Sequence, residues 1–384
     1  MNGAKHLPMT APGPTLDIDL DALAANYRFF ADLADKARPG ASAAAVVKCD
    51  AYGLGAAPAL GALAEAGASD FFVAYAGEAS ALRAAADAAG LTPRIFALIG
   101  PVAPDAAREL IAAAAIPVLN TPHQAQLWRA AAEASGAPRP CALHVETGLH
   151  RLAFAPDAYR ALLADAAFRR AAPIAMVMSH LACGFDAESP RNGEQIAAFA
   201  ELARLAPDAE TSLAASAGVM LEPPAASDLA RIGVGLYGVG PQDRSEPRLQ
   251  PVARLSAPVV QIADLTAGDR VGYGGEYVAP GPVRIATLAI GYGDGVPRRL
   301  AGRWSVVING VAAPMVGRVS MDLITVDASA VPDLSLGDTA EVFGSAASID
   351  ALADAAGTIG YEILTGLGAR PRRRYWKGGA PVAS

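Results

Sequence analysis

The chain has 384 residues, 53% of them hydrophobic and 18% charged, with a formal net charge of -7. That composition excludes a disordered chain, and an acidic balance with no dominant basic face argues against a nucleic-acid partner, whose phosphates would repel it. The three cysteines, Cys49, Cys141 and Cys183, are too few and too scattered for a disulfide framework or a metal site, and no run of about 18 uncharged apolar residues offers a membrane span.

The opening MNGAKHLPMTAPGP lacks the apolar core and cleavage site of a leader, so a cytoplasmic protein is expected. Residues 15–20 alternate Leu16, Ile18 and Leu20 with Asp17 and Asp19, the pattern of a half-buried strand. A helix should follow, capped by Asp19 or Asp21, with Leu23, Tyr27 and Phe30 on one face. Short apolar runs then alternate with alanine-rich helical stretches. The runs predict strands near 43–48, 71–75, 94–99, 116–120, 140–146, 174–179, 210–215 and 231–237, with helices near 56–66, 77–89, 104–114, 122–135, 156–169 and 191–205. Eight parallel strands with helical crossovers predict a (β/α)8 barrel over residues 15–245, an open doubly wound sheet being the alternative.

Near Gln250 the rhythm changes. Strand-like runs recur at 283–290, 304–308, 311–316 and 323–326, and Asn309-Gly310 between two of them is a hairpin signal. Residues 246–384 are therefore expected to form a separate, mainly β domain, to which the strand at 15–20 could belong. Arg370 to Arg374, four arginines broken by Pro371, read as a solvated C-terminal turn.

The barrel assigns the site to one rim, because active sites in such folds collect at the C-terminal ends of the strands. Lys48 ends the first barrel run, Arg151 follows the fifth, His180 ends the sixth, Ser216 the seventh, and Arg231 with Gly233 and Gly235 lies at the eighth. A lysine against a core loses solvation, which makes its amine a better nucleophile for Schiff-base chemistry. The loops after the last two strands offer a hydroxyl and closely approachable backbone N–H groups for a phosphate. An amine facing a phosphate cradle suits a phosphorylated aldehyde, pyridoxal phosphate.

The segments AVVKCDAYGLG, MSHLAC, RIGVGLYG, VGYGGEY and GRVSMD resemble those of the alanine racemases, fold type III pyridoxal-phosphate enzymes, and the likeness runs from about residue 15 to 376. The resemblance implies that Lys48 carries the cofactor and that His180 packs on its ring. It also implies that Tyr52, Ser216, Gly233, Val234 and Tyr361 bind its phosphate, and that Arg231 partners the pyridine nitrogen. Tyr273 would be the second catalytic base beside Lys48, with Arg151, Met321 and Tyr292 at the substrate. The activity implied is interconversion of L- and D-alanine, for cell-wall precursor supply or alanine catabolism, by two bases on opposite faces of Cα. A phenol is a weak base at its ordinary pKa of about 10, so a cation must favour the phenolate, and Arg151 is the candidate. A homodimer is also implied, the β domain of one subunit completing the barrel site of the other.

The chain departs from the family pattern in places. His144 stands where a lysine is usually carbamylated to hold the arginine; a neutral imidazole can accept one hydrogen bond from a guanidinium but supplies no negative charge. Glu146 replaces a favoured Asp and Ala215 a favoured Asn. Other readings are a serine or broad-specificity racemase of the same fold, and a non-catalytic cofactor-binding barrel, which would lack the β domain that VGYGGEY and GRVSMD mark. A decarboxylase is disfavoured because its glycine-triplet phosphate motif and C-terminal catalytic cysteine are missing.

Overall fold

A computed structural model describes residues 13–242 and 244–382. The segment expected to hold no leader therefore lies, through residue 12, outside the described residues. The chain divides into two units: Leu20–Gln250, and a second that joins the N-terminal strand through Asp19 to the chain from Pro251 onward. Among the described residues no helix is long and apolar enough to cross a membrane.

The strand β1 (Thr15–Asp19) belongs to the second unit. In the first unit lie β2 (Ser42–Val46), β3 (Asp70–Val73), β4 (Arg94–Ala97), β5 (Ile116–Leu119), β6 (Cys141–His144), β7 (Ile174–Met178), β8 (Glu210–Ser212) and β9 (Leu229–Ile232). They pair in the order β8-β7-β6-β5-β4-β3-β2-β9, all parallel. A parallel bridge from Ala215 to Arg231 closes the ring between β8 and β9, helped by Ser212 Oγ donating to Leu229 O at 2.6 Å and the Arg231 N–H to Ala214 O at 2.9 Å. An open sheet is thereby ruled out. The strands are continuous apolar runs because both faces are covered: Ala43, Ala44 and Ala45 of β2 and Phe71, Phe72 and Phe96 of its neighbours are all buried.

Four of the crossover helices, Pro104–Ala112, Pro122–Ala134, Pro156–Ala164 and Pro190–Ala203, open on a proline, whose missing N–H would have no intrahelical partner there. The helix predicted over 156–169 is two. Asp165 ends the first and caps the second, Ala166–Ala171, its Oδ1 accepting the N–H groups of Ala167 and Phe168 at 2.9 and 3.0 Å. At the N-terminal ends of the strands Arg94 joins three of them, pairing with Asp70 on one side and Glu210 Oε2 at 2.9 Å on the other.

The second unit centres on β10 (Ala253–Leu265), whose 13 residues pair with β1 and β17 over the first half and β13 over the second. The other strands are β11 (Arg270–Val271), β12 (Tyr277–Val278), β13 (Val283–Leu288), β14 (Ser305–Ile308), β15 (Val311–Val316), β16 (Ile324–Asp327), β17 (Thr339–Phe343), β18 (Arg372–Lys377) and β19 (Ala380–Val382). The order β13-β16-β15-β14-β17-β10, with β10 returning to β13, closes a six-stranded ring that β1, β18 and β19 extend. Asn309 and Gly310 turn the β14–β15 hairpin with φ of 49° and 78°, the left-handed pair that such a turn requires.

Two further expectations change. The strand at 15–20 lies between β10 and β18 and so falls outside the barrel unit into which the 15–245 boundary drew it. The arginine run is a strand and not a solvated turn: β18 runs parallel to β1, and Asp17 accepts hydrogen bonds from Arg374 Nε at 2.6 Å, Trp376 Nε1 at 2.9 Å and Arg254 Nη2 at 3.0 Å. A buried carboxylate needs these donors, and they convert a charge run into sheet structure.

Candidate active site

Leaving β2, Val47 donates its N–H to Phe72 O at 2.8 Å and delivers a half-buried Lys48 to the rim. The next four residues, Cys49, Asp50, Ala51 and Tyr52, have φ of 53°, 54°, 52° and 56°. This is one turn of left-handed backbone in residues with side chains, a conformation that costs roughly 1–2 kcal/mol per residue. It is pinned from both sides. The Ala51 N–H reaches Val47 O and the Gly53 N–H reaches Cys49 O, at 2.9 and 2.8 Å. The Cys49 N–H donates to Glu78 Oε1 at 2.8 Å, and Asp50 Oδ1 accepts from the Ala56 N–H at 2.7 Å. Glu78 also takes the Ala74 N–H at 2.6 Å, so one carboxylate ties the loop after β2 to the loop after β3.

The turn buries Tyr52 beside Tyr237, ring centroids 4.6 Å apart, and Tyr237 Oη donates to Val46 O at 2.9 Å. It also brings Tyr52 Oη to Gly233: a Cβ there would lie 2.6 Å from that oxygen, so only glycine fits. Ser216 Oγ accepts the Gly233 N–H at 3.0 Å and the Gly235 N–H at 3.4 Å, which uses its lone pairs and leaves its hydrogen for an outside acceptor. Tyr52, Ser216, Gly233 and the buried Val234 thus form one polar seat.

Arg231 is buried, and its terminal nitrogens are committed. Nη1 donates to Ser212 O and Oγ at 2.9 and 2.6 Å, and Nη2 to Ser179 O at 2.6 Å and His180 Nδ1 at 3.3 Å. Nε has no partner among the described residues. Burial lowers the Arg231 pKa to about 10, which still leaves a cation at neutral pH. A guanidinium only donates, so His180 Nδ1 must be the bare nitrogen. Burial, then the charges of Arg231 and Arg151, then His144 and Lys48, push the His180 pKa down to about 3. His180 therefore feels every cation of the rim, and the structure brings Lys48, Arg151, His180 and Arg231 together.

The loop after β6 carries Arg151. Glu146 shapes it by accepting the Leu149 and His150 N–H groups at 2.8 and 2.9 Å, besides that of Gly148. Burial opposes ionisation of Glu146, but these N–H donors outweigh it and hold the carboxyl below its usual range. Buried Gln195 fastens the loop to the next one, donating to Thr147 Oγ1 at 3.2 Å and His180 O at 3.0 Å while accepting from the Ala182 N–H at 2.7 Å. Arg151 itself is exposed, with no hydrogen bond or ion pair among the described residues. His144 does not bond to it; His144 Nδ1 lies 2.9 Å from Asn120 Oδ1.

The second unit gathers the remaining candidates. Tyr273 stands 74% exposed on a turn of three glycines with φ of 72°, 76° and 56° at Gly272, Gly274 and Gly275. Arg318, from the GRVSMD segment, lies over Gly274 and pairs with Glu276, so the two motifs meet. The Tyr292 N–H donates to Ser320 O at 3.0 Å and the Gly293 N–H to Met321 O at 2.9 Å, placing Tyr292 and Met321 on adjoining loops with both side chains exposed. Tyr361 is half-buried on the helix Gly360–Thr365, beside the buried Ile363 and the exposed Ile359, and so is not a core residue.

Glu78, Gln195 and Asn120 were not among the candidates. Glu78 acts through backbone N–H groups, and Gln195 through a hydroxyl, a carbonyl and an N–H of two neighbouring loops, none of which a sequence pattern marks. Asn120 did carry a signal: it follows an apolar strand on the same rim, as Lys48 does.

The chain matches the family model of the alanine racemase N-terminal domain over residues 18–241 and that of the alanine racemase C-terminal domain over residues 252–375. It belongs to the alanine racemase family. The two alanine racemase models meet across Gln250, where the units divide. It is 43% identical to an alanine racemase of Rhodospirillum rubrum over 94% of this chain and 95% of that one. It is 42% identical to a catabolic alanine racemase of Mesorhizobium japonicum over 95% and 94% of the respective chains. Among solved structures, the alanine racemase from Bartonella henselae with covalently bound pyridoxal phosphate superposes with a TM-score of 0.87 at 34% identity, covering 95% of this chain and 100% of the other.

Proposed function

We propose that the protein interconverts L- and D-alanine with pyridoxal phosphate bonded to Lys48 and two bases, Lys48 and Tyr273, on opposite faces of the substrate. The observation that carries this reading is the convergence of Lys48, His180, Arg231 and the Tyr52–Ser216–Gly233 seat at the C-terminal ends of one barrel's strands. The residues fit the cofactor. The amine of Lys48 makes no hydrogen bond among the described residues, Arg231 Nε is an uncommitted donor on a buried guanidinium, and the seat offers hydroxyls and a glycine backbone to a phosphate. When bound, pyridoxal phosphate supplies an electron sink that makes the Cα–H of an attached amino acid acidic.

Every other task falls to the chain. Lys48 Nζ removes or returns the proton on one face, and the phenol Oη of Tyr273 does so on the other; the base of one direction is the acid of the reverse. Arg231 remains a cation and donates from Nε without giving up its proton, so an acceptor placed there stays unprotonated. His180 remains neutral and adds no charge beside that acceptor. Arg151, unpaired on its loop, is the cation offered to the substrate carboxylate, and Met321 and Tyr292 are the second unit's candidates for substrate contact. Tyr361 carries a further hydroxyl of the kind that binds a phosphate.

The exposure of Tyr273, Tyr292 and Met321 on the second unit supports a homodimer in which Tyr273 of the partner subunit completes each site. Three free cysteines among the described residues support a reducing, cytoplasmic setting. Purified protein in deuterium oxide should erase the optical rotation of L-alanine and place deuterium at Cα of both enantiomers. Equally fast loss with L-serine would broaden the substrate, and no loss with either would overturn the reading. Refolding Lys48→Ala together with Tyr273→Phe should recover about a quarter of the wild-type rate, since in mixed dimers one site escapes both defects. A mixture as inactive as its parents would confine Tyr273 to its own subunit.

A further inference from the structure

The amide of Asn120, wholly buried after β5, has one possible orientation. Nδ2 donates to Val118 O at 2.8 Å and Leu98 O at 3.1 Å. The Asn120 backbone N–H donates to Gln124 Oε1 at 2.7 Å, and Gln124 is fixed in turn by Nε2 donating to Ile99 O at 2.6 Å. Turning the Asn120 amide over would set its oxygen against three carbonyl oxygens, those of Val118, Leu98 and Ile99, so Oδ1 must face His144 Nδ1, 2.9 Å away. An amide oxygen only accepts. His144 Nδ1 therefore carries the hydrogen, and in the neutral ring Nε2 is a bare lone pair. No group among the described residues bonds to Nε2.

The charged and titratable groups that face this ring are Arg231, Arg151, Glu146 and His180. Arg231 has spent both terminal nitrogens on other partners and keeps only Nε, and Glu146 has spent both oxygens, so Arg151 is the guanidinium near this ring whose terminal donors are all free. Burial first, and then the charge of Arg231, lowers the His144 pKa to about 4, so the ring is neutral wherever the enzyme would work.

We propose that Asn120 is a positioning residue that locks His144 as a neutral acceptor for the Arg151 guanidinium, so that a fixed lone pair, and no anion, orients the arginine of the active site. The opposite tautomer would present N–H against N–H and push Arg151 away. The inference rests on the role given to Arg151 in the proposed racemase.

The first test needs no turnover. In holoenzyme labelled with 15N-histidine, the His144 signals, assigned through His144→Gln, should show Nδ1 protonated and Nε2 bare from pH 8 down to pH 5. A protonated Nε2 anywhere in that range overturns the proposal even if the enzyme is active, and loss of the racemase reading would leave this measurement intact. The second test is Asn120→Asp, which keeps the acceptor but adds a negative charge, raises the His144 pKa and turns Nε2 into a donor. Its kcat/KM should fall about 10-fold between pH 8 and pH 6 relative to wild type, the loss of one charge-assisted hydrogen bond, and recover as pH rises. A profile parallel to wild type would show that Arg151 does not use His144. Should Asn120→Asp fail to fold, Asn120→Ser with the same 15N readout decides: His144 should then populate both tautomers, and an unchanged single tautomer would remove Asn120 from the role.

Discussion

The two ends of the barrel hold charge in opposite ways. At the N-terminal ends of the strands Arg94 is satisfied by Asp70 and Glu210, and the three strands it joins are tied by paired charges. At the C-terminal ends Lys48, Arg151 and Arg231 have no carboxylate partner among the described residues, and the carboxylates that tie their loops, Glu78 and Glu146, are occupied by backbone N–H groups. The same residue type is thus structural at one end and reserved at the other. Unpaired cations held by a closed ring are binding capacity that ion pairing would have neutralised.

The largest loss is expected at the cationic rim. On the proposed reading, Lys48→Ala should lower turnover by roughly 1,000-fold or more, since both cofactor attachment and one base would disappear. Borohydride reduction followed by peptide mapping should find no label on any other lysine. Arg231→Met should cost on the order of 100-fold in turnover and also about 1–3 kcal/mol of stability, because Ser179 O and Ser212 Oγ lose a buried donor; kinetics and urea unfolding of one preparation read both. Glu78→Ala should lower turnover about 10-fold by freeing the Cys49 N–H and loosening the aim of Lys48, with Glu78→Gln, which keeps an acceptor, nearer wild type.

At the opposite end, Arg94→Met should leave turnover within about 2-fold of wild type while destabilising the fold by about 1–3 kcal/mol, since a buried Asp70 loses its partner, though in a partly solvated site. A large kinetic effect there would erase the distinction between the ends. The last effect is one of pH. His144 and His180 have folded pKa values depressed to about 4 and about 3, below the ordinary value of 6.5, so the unfolded chain binds more protons below that value. Stability should be intact above pH 6.5 and decline as pH falls toward 4, with a slope approaching two protons that His144→Gln reduces to one.

The barrel strands were legible because parallel strands covered on both faces are unbroken apolar runs, and the rim followed from counting which polar residue ended each. The Asn309-Gly310 hairpin was legible for a local reason, as only such residues take two positive φ angles readily. What escaped depended on distant partners. The arginines of 372–374 look solvated until Asp17, far away in the sequence, is known to lie beside them. Cys49 to Tyr52 hold no glycine, so nothing in their identity foretells a left-handed turn; it exists because Glu78 and Gly233 make room for it and hold it.

That turn has a consequence for how the protein is made. Its backbone is disfavoured on its own, so a nascent chain in which only the segment around Lys48 has emerged cannot hold it. The Glu78 acceptor arrives only with the helix after β3, and the glycine that admits the Tyr52 hydroxyl arrives only after β9, the last barrel strand to be synthesised. A ribosome-bound intermediate short of β9 would expose an ordinary lysine on a mobile loop, and the cofactor could be captured with specificity only once the ring had closed.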